Sequence, residues 1–285
     1  MVSLFRVHCL ACSIHGPVCC HSKLNVVTII VFVKNRSLRK RSMYLVINLA
    51  VADLLVGGFT EVTAFFFMGW HCNFWQYNVT PYGIWDNVIF SIEILFPLVS
   101  LTNITAISLE WLHATYFPFK HRVIKKWIFG VIIAAIWVIA VLSSGIYYAH
   151  WETIVQYFYQ YIWSLFNLIC LFVVCASYAS IAVKIRHGAH LQHHGAASRE
   201  RKLTMTLSIM TFVSLIMYLP LGIFVSVISL TGYGSLSVLN FKRLNFALMV
   251  LCYTNSLVNP ILYTFRMPDF KRALVSLLLC RTQQR

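Results

Sequence analysis

The chain has 285 residues, of which 59% are hydrophobic and 11% are charged, and its mean hydropathy is +0.74. A soluble domain of this length would carry far more surface charge, so the composition indicates a polytopic membrane protein without a separate soluble domain. The formal net charge of +15 comes from basic residues dispersed along the chain rather than gathered on one aromatic-lined face, which argues against nucleic-acid binding.

Seven apolar segments, called spans here, follow one another along the chain. The first is short, because its apolar run covers only Leu24 to Val33, whereas a helix needs about 20 residues to cross a bilayer. Residues 1–23 are therefore predicted to be an extracellular N-terminus or the incomplete start of the first span. The other six spans are Ser42 to Met68, Tyr82 to Leu109, Trp127 to Tyr148, Tyr157 to Val183, Leu203 to Leu230, and Leu244 to Phe265.

The basic residues predict the orientation of the spans. Nineteen of the 23 lysines and arginines lie in the segments after the first, third and fifth spans and in the C-terminal tail. Loops rich in lysine and arginine stay in the cytoplasm, so all four segments are predicted to be cytoplasmic. The sequence thus predicts an odd number of spans, an outside N-terminus, and a multi-pass protein of the plasma membrane.

A short amphipathic helix is predicted after the seventh span, within residues 266–285. Apolar residues recur there at helical spacing with basic residues between them, a pattern typical of a helix lying on membrane lipid. Cys280 near its end is either a palmitoylation site or a free cytosolic thiol. The membrane-spanning domain is accordingly placed at residues 24–265.

Catalytic motifs are absent from the sequence, which contains no phosphate-binding glycine-rich loop, no HExxH and no nucleophile beside a plausible base. His187, His190, His193 and His194 have a spacing that would suit a metal, but a flexible loop is the favoured interpretation because metal sites need fixed geometry. The chain is therefore not predicted to be an enzyme or to hold an organic cofactor.

Six motifs occur in order on the predicted spans. They are Asn25 in the first span, Asn48-Leu49-Ala50-Val51-Ala52-Asp53-Leu54-Leu55 in the second, Ser108-Leu109-Glu110-Trp111-Leu112-His113-Ala114-Thr115 at the end of the third, Trp137 in the fourth, and Pro220 in the sixth with Asn259-Pro260-Ile261-Leu262-Tyr263 in the seventh. With them the chain resembles a class A, rhodopsin-like G-protein-coupled receptor. The resemblance implies an all-α bundle of seven transmembrane helices, an extracellular ligand and a heterotrimeric G protein as partner.

Asp53 is a carboxylate near the centre of the membrane, where a charge needs partners. The resemblance places Ser100, Asn255 and Asn259 around it and implies that the four residues hold an allosteric sodium ion. An oxygen-only set of ligands suits such a hard cation. The alternative is a neutral, hydrogen-bonded aspartic acid without an ion.

Two prolines mark bends where helices can swing, because Pro220 and Pro260 each remove a helix hydrogen bond. In the family that the chain resembles, ligand binding moves the inner end of the sixth span outward, and the tyrosines at Tyr178 and Tyr263 turn inward. Interfacial anchoring by aromatic residues is the alternative role for both tyrosines.

Trp111 is the largest departure from the family pattern, since it stands where an arginine would pair with Glu110. Tryptophan cannot form that ion pair. The departure predicts either a lost latch with raised basal activity or impaired coupling, and it keeps open a receptor-like protein with lost or atypical G-protein coupling. Tyr218 likewise replaces the usual tryptophan and is predicted to be the pivot under the ligand.

Two sets of sequence features predict different classes of ligand. A fifth span without proline and a third span without an initial cysteine resemble the melanocortin, lysophospholipid and cannabinoid branch, which implies a peptide or lipid ligand. Glu93, eighteen residues before Trp111, lies at ligand depth in this family, and Glu61 and Asp86 also lie in the outer half. These three acids favour a cationic ligand, or a divalent ion shared with a peptide. An internal hydrogen bond of Glu93 is the alternative.

A secondary transporter is the remaining membrane-protein class. Transporters of that kind repeat their hydropathy pattern and break corresponding helices in both halves. Pro220 of the sixth span has no counterpart in the second span, so a transporter is not favoured.

Overall fold

The computed structural model describes residues 21–35, 38, 43–63, 84–149, 154–188, 209, 212–228 and 238–282. Every regular element in this described part is helical, which confirms the all-α prediction. The helices are α1 (21–34), α2 (Met43–Leu55), α3 (Ile84–Tyr116), α4 (Pro118–Val123), α5 (Lys126–Ala149), α6 (Ile154–Gly188), α7 (Phe212–Ile228), α8 (Val238–Arg266) and α9 (Pro268–Thr282).

Five of the described helical segments are long and apolar enough to cross a membrane, and they correspond to the second, third, fourth, fifth and seventh predicted spans. The first of the five runs through Met43–Thr63 and so continues beyond α2. Helices α1 and α7 correspond to the first and sixth spans and are shorter in the described part. Several helices extend beyond the predicted spans, as α3 does by continuing past Leu109 to Tyr116. Hydropathy marks only the apolar part of a helix, whereas the helical backbone continues into the interface.

Helix α3 is the central element of the bundle. It packs against α2, α5 and α6, while α2 also packs against α8. The stretch of α3 from Leu98 to Ile104 is buried without a break, including Ser100 and Asn103, which are both 0% exposed. A helix buried on all sides in this way fixes the positions of the polar groups that it carries.

Helix α2 changes its winding at its outer end, which the sequence did not predict. Residues Val56–Thr60 form one π-helical turn, closed by a hydrogen bond from the Glu61 N–H to the Val56 carbonyl, before α-helix resumes. Two of the five residues are glycines, which have a low propensity for the α-helix. Gly57 also lies against α1, because a Cβ atom there would be 3.0 Å from the Cβ of His21.

The C-terminal end of the bundle is closed by three aromatic rings from three helices. Phe32 of α1 packs on Tyr263 of α8 at 5.7 Å and on Phe270 of α9 at 5.2 Å, measured between ring centroids. Tyr263 and Phe270 are 5.9 Å apart. Phe270 is buried while Lys271 and Arg272 are exposed, so α9 has the two faces of the predicted amphipathic helix.

Replacement of Gly57 by alanine tests the close approach of α1 to the π-helical turn. The added methyl group would meet His21 and Ser22, so Gly57→Ala is expected to lower stability by about 1–3 kcal/mol, as overpacking does. Gly58→Ala is the matched control, because its nearest neighbouring atom would be 3.9 Å away. Thermal unfolding of both purified variants measures the difference, and equal melting temperatures would contradict this packing.

Candidate functional site

Asp53 is the centre of a buried polar cluster. Its side chain is 0% exposed and accepts hydrogen bonds from two other helices. Ser100 of α3 donates to Oδ1 at 2.6 Å, Ser256 of α8 donates to the same oxygen at 3.0 Å, and Asn259 of α8 donates to Oδ2 at 2.7 Å. Three donors suit the ionised carboxylate, because a neutral acid would need to donate from one of its oxygens.

The cluster differs in one member from the predicted set of Asp53, Ser100, Asn255 and Asn259. Asn255 is 0% exposed, but neither polar atom of its carboxamide has a hydrogen-bond partner in the described part of the chain. Ser256, the next residue, makes the third contact instead. Asn255 lies four residues before Asn259 and therefore on the same face of α8.

A sodium ion fits the chemistry of this cluster. Lysine and arginine form no ion pair with Asp53 among the described residues, and the direct contacts of the carboxylate are its hydrogen bonds with Ser100, Ser256 and Asn259. Orphaned buried polar atoms usually bind water or an ion. The unpartnered Asn255 carboxamide oxygen and the oxygens of Asp53 and Ser100 are the type of ligand that a hard cation takes.

Tyr218 extends the cluster to α7. Its ring is 7% exposed, and its hydroxyl lies near Ser100 of α3 and Cys252 of α8. A tryptophan at this position would have no hydroxyl near Ser100. Tyr218 therefore places a polar group of the proline-bearing α7 beside a residue that binds Asp53.

The predicted ligand residues at the outer end have different surroundings. Glu93 of α3 is mostly buried, and its Oε1 has no hydrogen-bond partner among the described residues. Thr63 of α2 reaches the Glu93 carboxylate, yet the same hydroxyl lies 3.0 Å from two backbone carbonyls of its own helix. One hydroxyl proton cannot serve all three acceptors, so Glu93 retains capacity for an external donor.

Glu61 is engaged within the bundle instead. Its carboxylate pairs with the imidazole Nδ1 of His21 in α1, and both side chains are buried. Asp86 lies in the first turn of α3, and its side chain is outside the described part. Among the three acids predicted for the outer half, Glu93 is thus the one whose carboxylate has a buried oxygen without a hydrogen-bond partner in the described part of the chain.

Glu110 has a partner at the inner end, although the expected arginine is replaced by Trp111. The Nε2 atom of His121 in α4 lies 2.6 Å from Oε1 of Glu110. Trp111 is 8% exposed and belongs to the main apolar cluster, and its indole N–H has no partner among the described residues. The tryptophan is thus a core residue, while a histidine from the following helix binds the acid.

The remaining predicted switch residues lie where the helices place them. Pro260 is inside α8 and Pro220 inside α7, and Tyr178 is half-buried against the main apolar cluster on α6. Tyr263 is 1% exposed within the three-ring contact at the end of α8. The side chain of Cys280 lies outside the described part, as do the four clustered histidines apart from the backbone of His187.

The sequence interpretation missed three residues that contact the predicted site residues: Ser256, His21 and His121. Ser256 carried a signal, because it adjoins Asn255 and lies in the polar seventh span. The two histidines did not, since they reach their partners across 40 and 11 residues of chain. Each contact depends on how two helices pack, which local spacing does not reveal.

Comparison with known proteins agrees with the motifs. The family described as "7 transmembrane receptor (rhodopsin family)" matches residues 24–263. The chain is also similar to a QRFP-like peptide receptor of Branchiostoma floridae, with 22% identity over 293 aligned positions that cover 91% of this chain and 74% of the relative. The family match extends from α1 to Tyr263 in the last long helix and so includes all seven predicted spans.

Proposed function

The chain belongs to the rhodopsin family of seven-transmembrane receptors, and we propose that it carries an extracellular signal across the plasma membrane to a heterotrimeric G protein. In this proposal the N-terminus is outside and the basic loops face the cytoplasm, as the distribution of lysine and arginine predicts. The observation that carries the proposal is the buried cluster around Asp53, which joins α2, α3 and α8 and reaches α7 through Tyr218.

The cluster gives the helices two alternative arrangements. Helix α7 contains Pro220 two residues after Tyr218, and a proline leaves a backbone carbonyl without its helical donor, which permits a bend there. Outward movement of the inner end of α7 would change the contact of Tyr218 with Ser100, while Tyr178 and Tyr263 would turn inward. A ligand shifts this equilibrium only by binding one arrangement more tightly than the other.

The proposed ligand is a peptide with a basic group. The relative is named as a peptide receptor, which favours a peptide over a lipid or a small amine. Glu93 would bind the basic group of the peptide, because its Oε1 is buried and unpartnered. A charged pair in a desolvated pocket is among the stronger contacts that an interface can make.

The proposed allosteric ligand is sodium, held by Asp53, Ser100 and Asn259 with the carboxamide of Asn255. Ser256 adds a hydrogen bond that fixes the orientation of the carboxylate. The ion would stabilise the arrangement in which all of these groups converge and would therefore oppose movement of α7.

The inner face is proposed to be held by Glu110 and His121 in place of an arginine contact. The pair joins α3 to α4 and thereby restrains the segment that follows the third span. A second function, a receptor-like protein with lost or atypical coupling, is favoured by the burial of Trp111, which offers an apolar ring instead of a mobile cation.

Sodium is expected to stabilise the purified chain. At ten times its Kd, an ion that binds only the folded protein adds about 1.4 kcal/mol. Thermal unfolding in sodium chloride, compared with potassium chloride at equal ionic strength, should show this increase for the native chain and not for Asp53→Asn. An equal response to both salts in the native chain would contradict the ion site, whereas a sodium effect that persists in Asp53→Asn would place the ion elsewhere.

Glu93→Gln is expected to weaken a basic peptide selectively. We would screen peptides that carry one arginine against matched peptides with citrulline, measuring binding and second-messenger output. An arginine peptide that is active on the native chain should lose about 30-fold or more in affinity on Glu93→Gln, since loss of one partner of a buried charge pair costs about 2–5 kcal/mol. The citrulline form should be unaffected by the substitution. Equal loss for both peptides, or none for either, would contradict the charge pair.

A further inference from the structure

The junction of α4 and α5 exposes aromatic and aliphatic side chains beside lysines. We call this surface the α4–α5 corner and define it by Phe119, Lys120, Val123, Lys125, Lys126 and Trp127. Phe119 is 81% exposed, Val123 is 77% exposed and Trp127 is 63% exposed, and α4 has no buried residue. Large apolar side chains with this exposure need a cover other than water.

The apolar members of the corner continue the outer face of α5. Trp127 and the exposed Val131 are four residues apart, and so are Phe119 and Val123, which places each pair on one face of its helix. Farther along α5, the exposed Leu142 marks the side of this span that faces lipid. Aromatic rings at the end of such a span lie at the level of the lipid headgroups.

The charge at the corner is positive. Lys120, Lys125 and Lys126 lie within seven residues, and the sequence has no Asp or Glu from 111 to 151. Glu110, just before this stretch, is bound to His121. Lys120 lies over the Phe117 ring at 5.6 Å, which leaves its ammonium donors available, and the described residues give Lys125 and Lys126 no ion pair.

We propose that the α4–α5 corner binds the phosphate headgroups of anionic phospholipids in the adjacent leaflet. Exposed rings at headgroup level select a lipid over a soluble anion, and basic residues beside a span attract anionic lipid by about 1 kcal/mol each. This lipid site rests on the proposed function only for the orientation of the protein in the membrane. In that orientation the adjacent leaflet is the cytoplasmic one. Binding holds α4 at the membrane surface, next to the Glu110–His121 contact.

Fluorescence of Trp127 in lipid nanodiscs tests this site with the full chain and without ligand or transducer. Nanodiscs of phosphatidylcholine would contain a small, equal fraction of either brominated phosphatidylserine or brominated phosphatidylcholine, and Trp127→Phe would identify the contribution of Trp127. The brominated anionic lipid is expected to quench Trp127 more strongly than the neutral one. In the variant with Lys120→Gln, Lys125→Gln and Lys126→Gln, the preference should fall roughly tenfold or more.

Two further variants guard the result against misfolding and general charge effects. Arginine at the same three positions should preserve the preference, and so should Arg199→Gln with Arg201→Gln and Lys202→Gln, which removes the same charge from another basic segment. Equal quenching by both lipids in the native chain would overturn the proposal, as would an equal loss in both glutamine variants. Loss of second-messenger output in the corner variant, with no lipid preference in the native chain, would assign the surface to a transducer protein.

Discussion

The burial of Asp53 is the constraint on which the arrangement of this bundle depends. A carboxylate that is 0% exposed within apolar helices is tolerated only when donors or a cation compensate for its lost hydration. The donors come from α3 and α8, so three helices are fixed relative to one another by a single charged group. Because the hydroxyl of Tyr218 lies near Ser100, the movement of α7 that we propose would change the surroundings of that charge.

Helix α3 connects the Asp53 cluster to polar residues near both of its own ends. Glu93, Ser100 and Glu110 lie on one buried helix, and each meets a different partner: an unfilled position at the outer end, Asp53 at the centre, and His121 at the inner end. From Glu93 to Glu110 the helix rises about 25 Å at 1.5 Å per residue. The pathway from ligand to transducer that we propose therefore runs along one helix, with α7 as the part that moves.

The fold could be predicted from the sequence because membrane crossing leaves local signals. Apolar segment length, the alternation of basic loops and the order of the polar motifs each depend on neighbouring residues, and the family match agrees with them. The central site was found for the same reason, since Asp53 and Asn259 belong to local motifs. Contacts between residues distant in sequence could not be predicted in this way, because those of Glu61 with His21 and of Glu110 with His121 depend on helix packing. The hydrogen bond to Asp53 is made by Ser256, whereas the prediction placed its neighbour Asn255 there. The π-helical turn was missed because its two glycines are equally compatible with an ordinary helix.

The most direct test of a functional receptor whose inner face is closed by Glu110 and His121 is ligand-independent second-messenger output. Native chain, His121→Ala and Arg243→Gln would be compared in cells at equal surface amounts, with Arg243→Gln removing an exposed charge of α8 that belongs neither to the contact nor to the α4–α5 corner. We predict that His121→Ala raises basal output about fivefold, the effect of losing about 1 kcal/mol from the closed state, and that Arg243→Gln does not. Unchanged output in His121→Ala, with Trp111→Arg equally silent at the cell surface, would contradict the account and favour a receptor-like protein that has lost coupling.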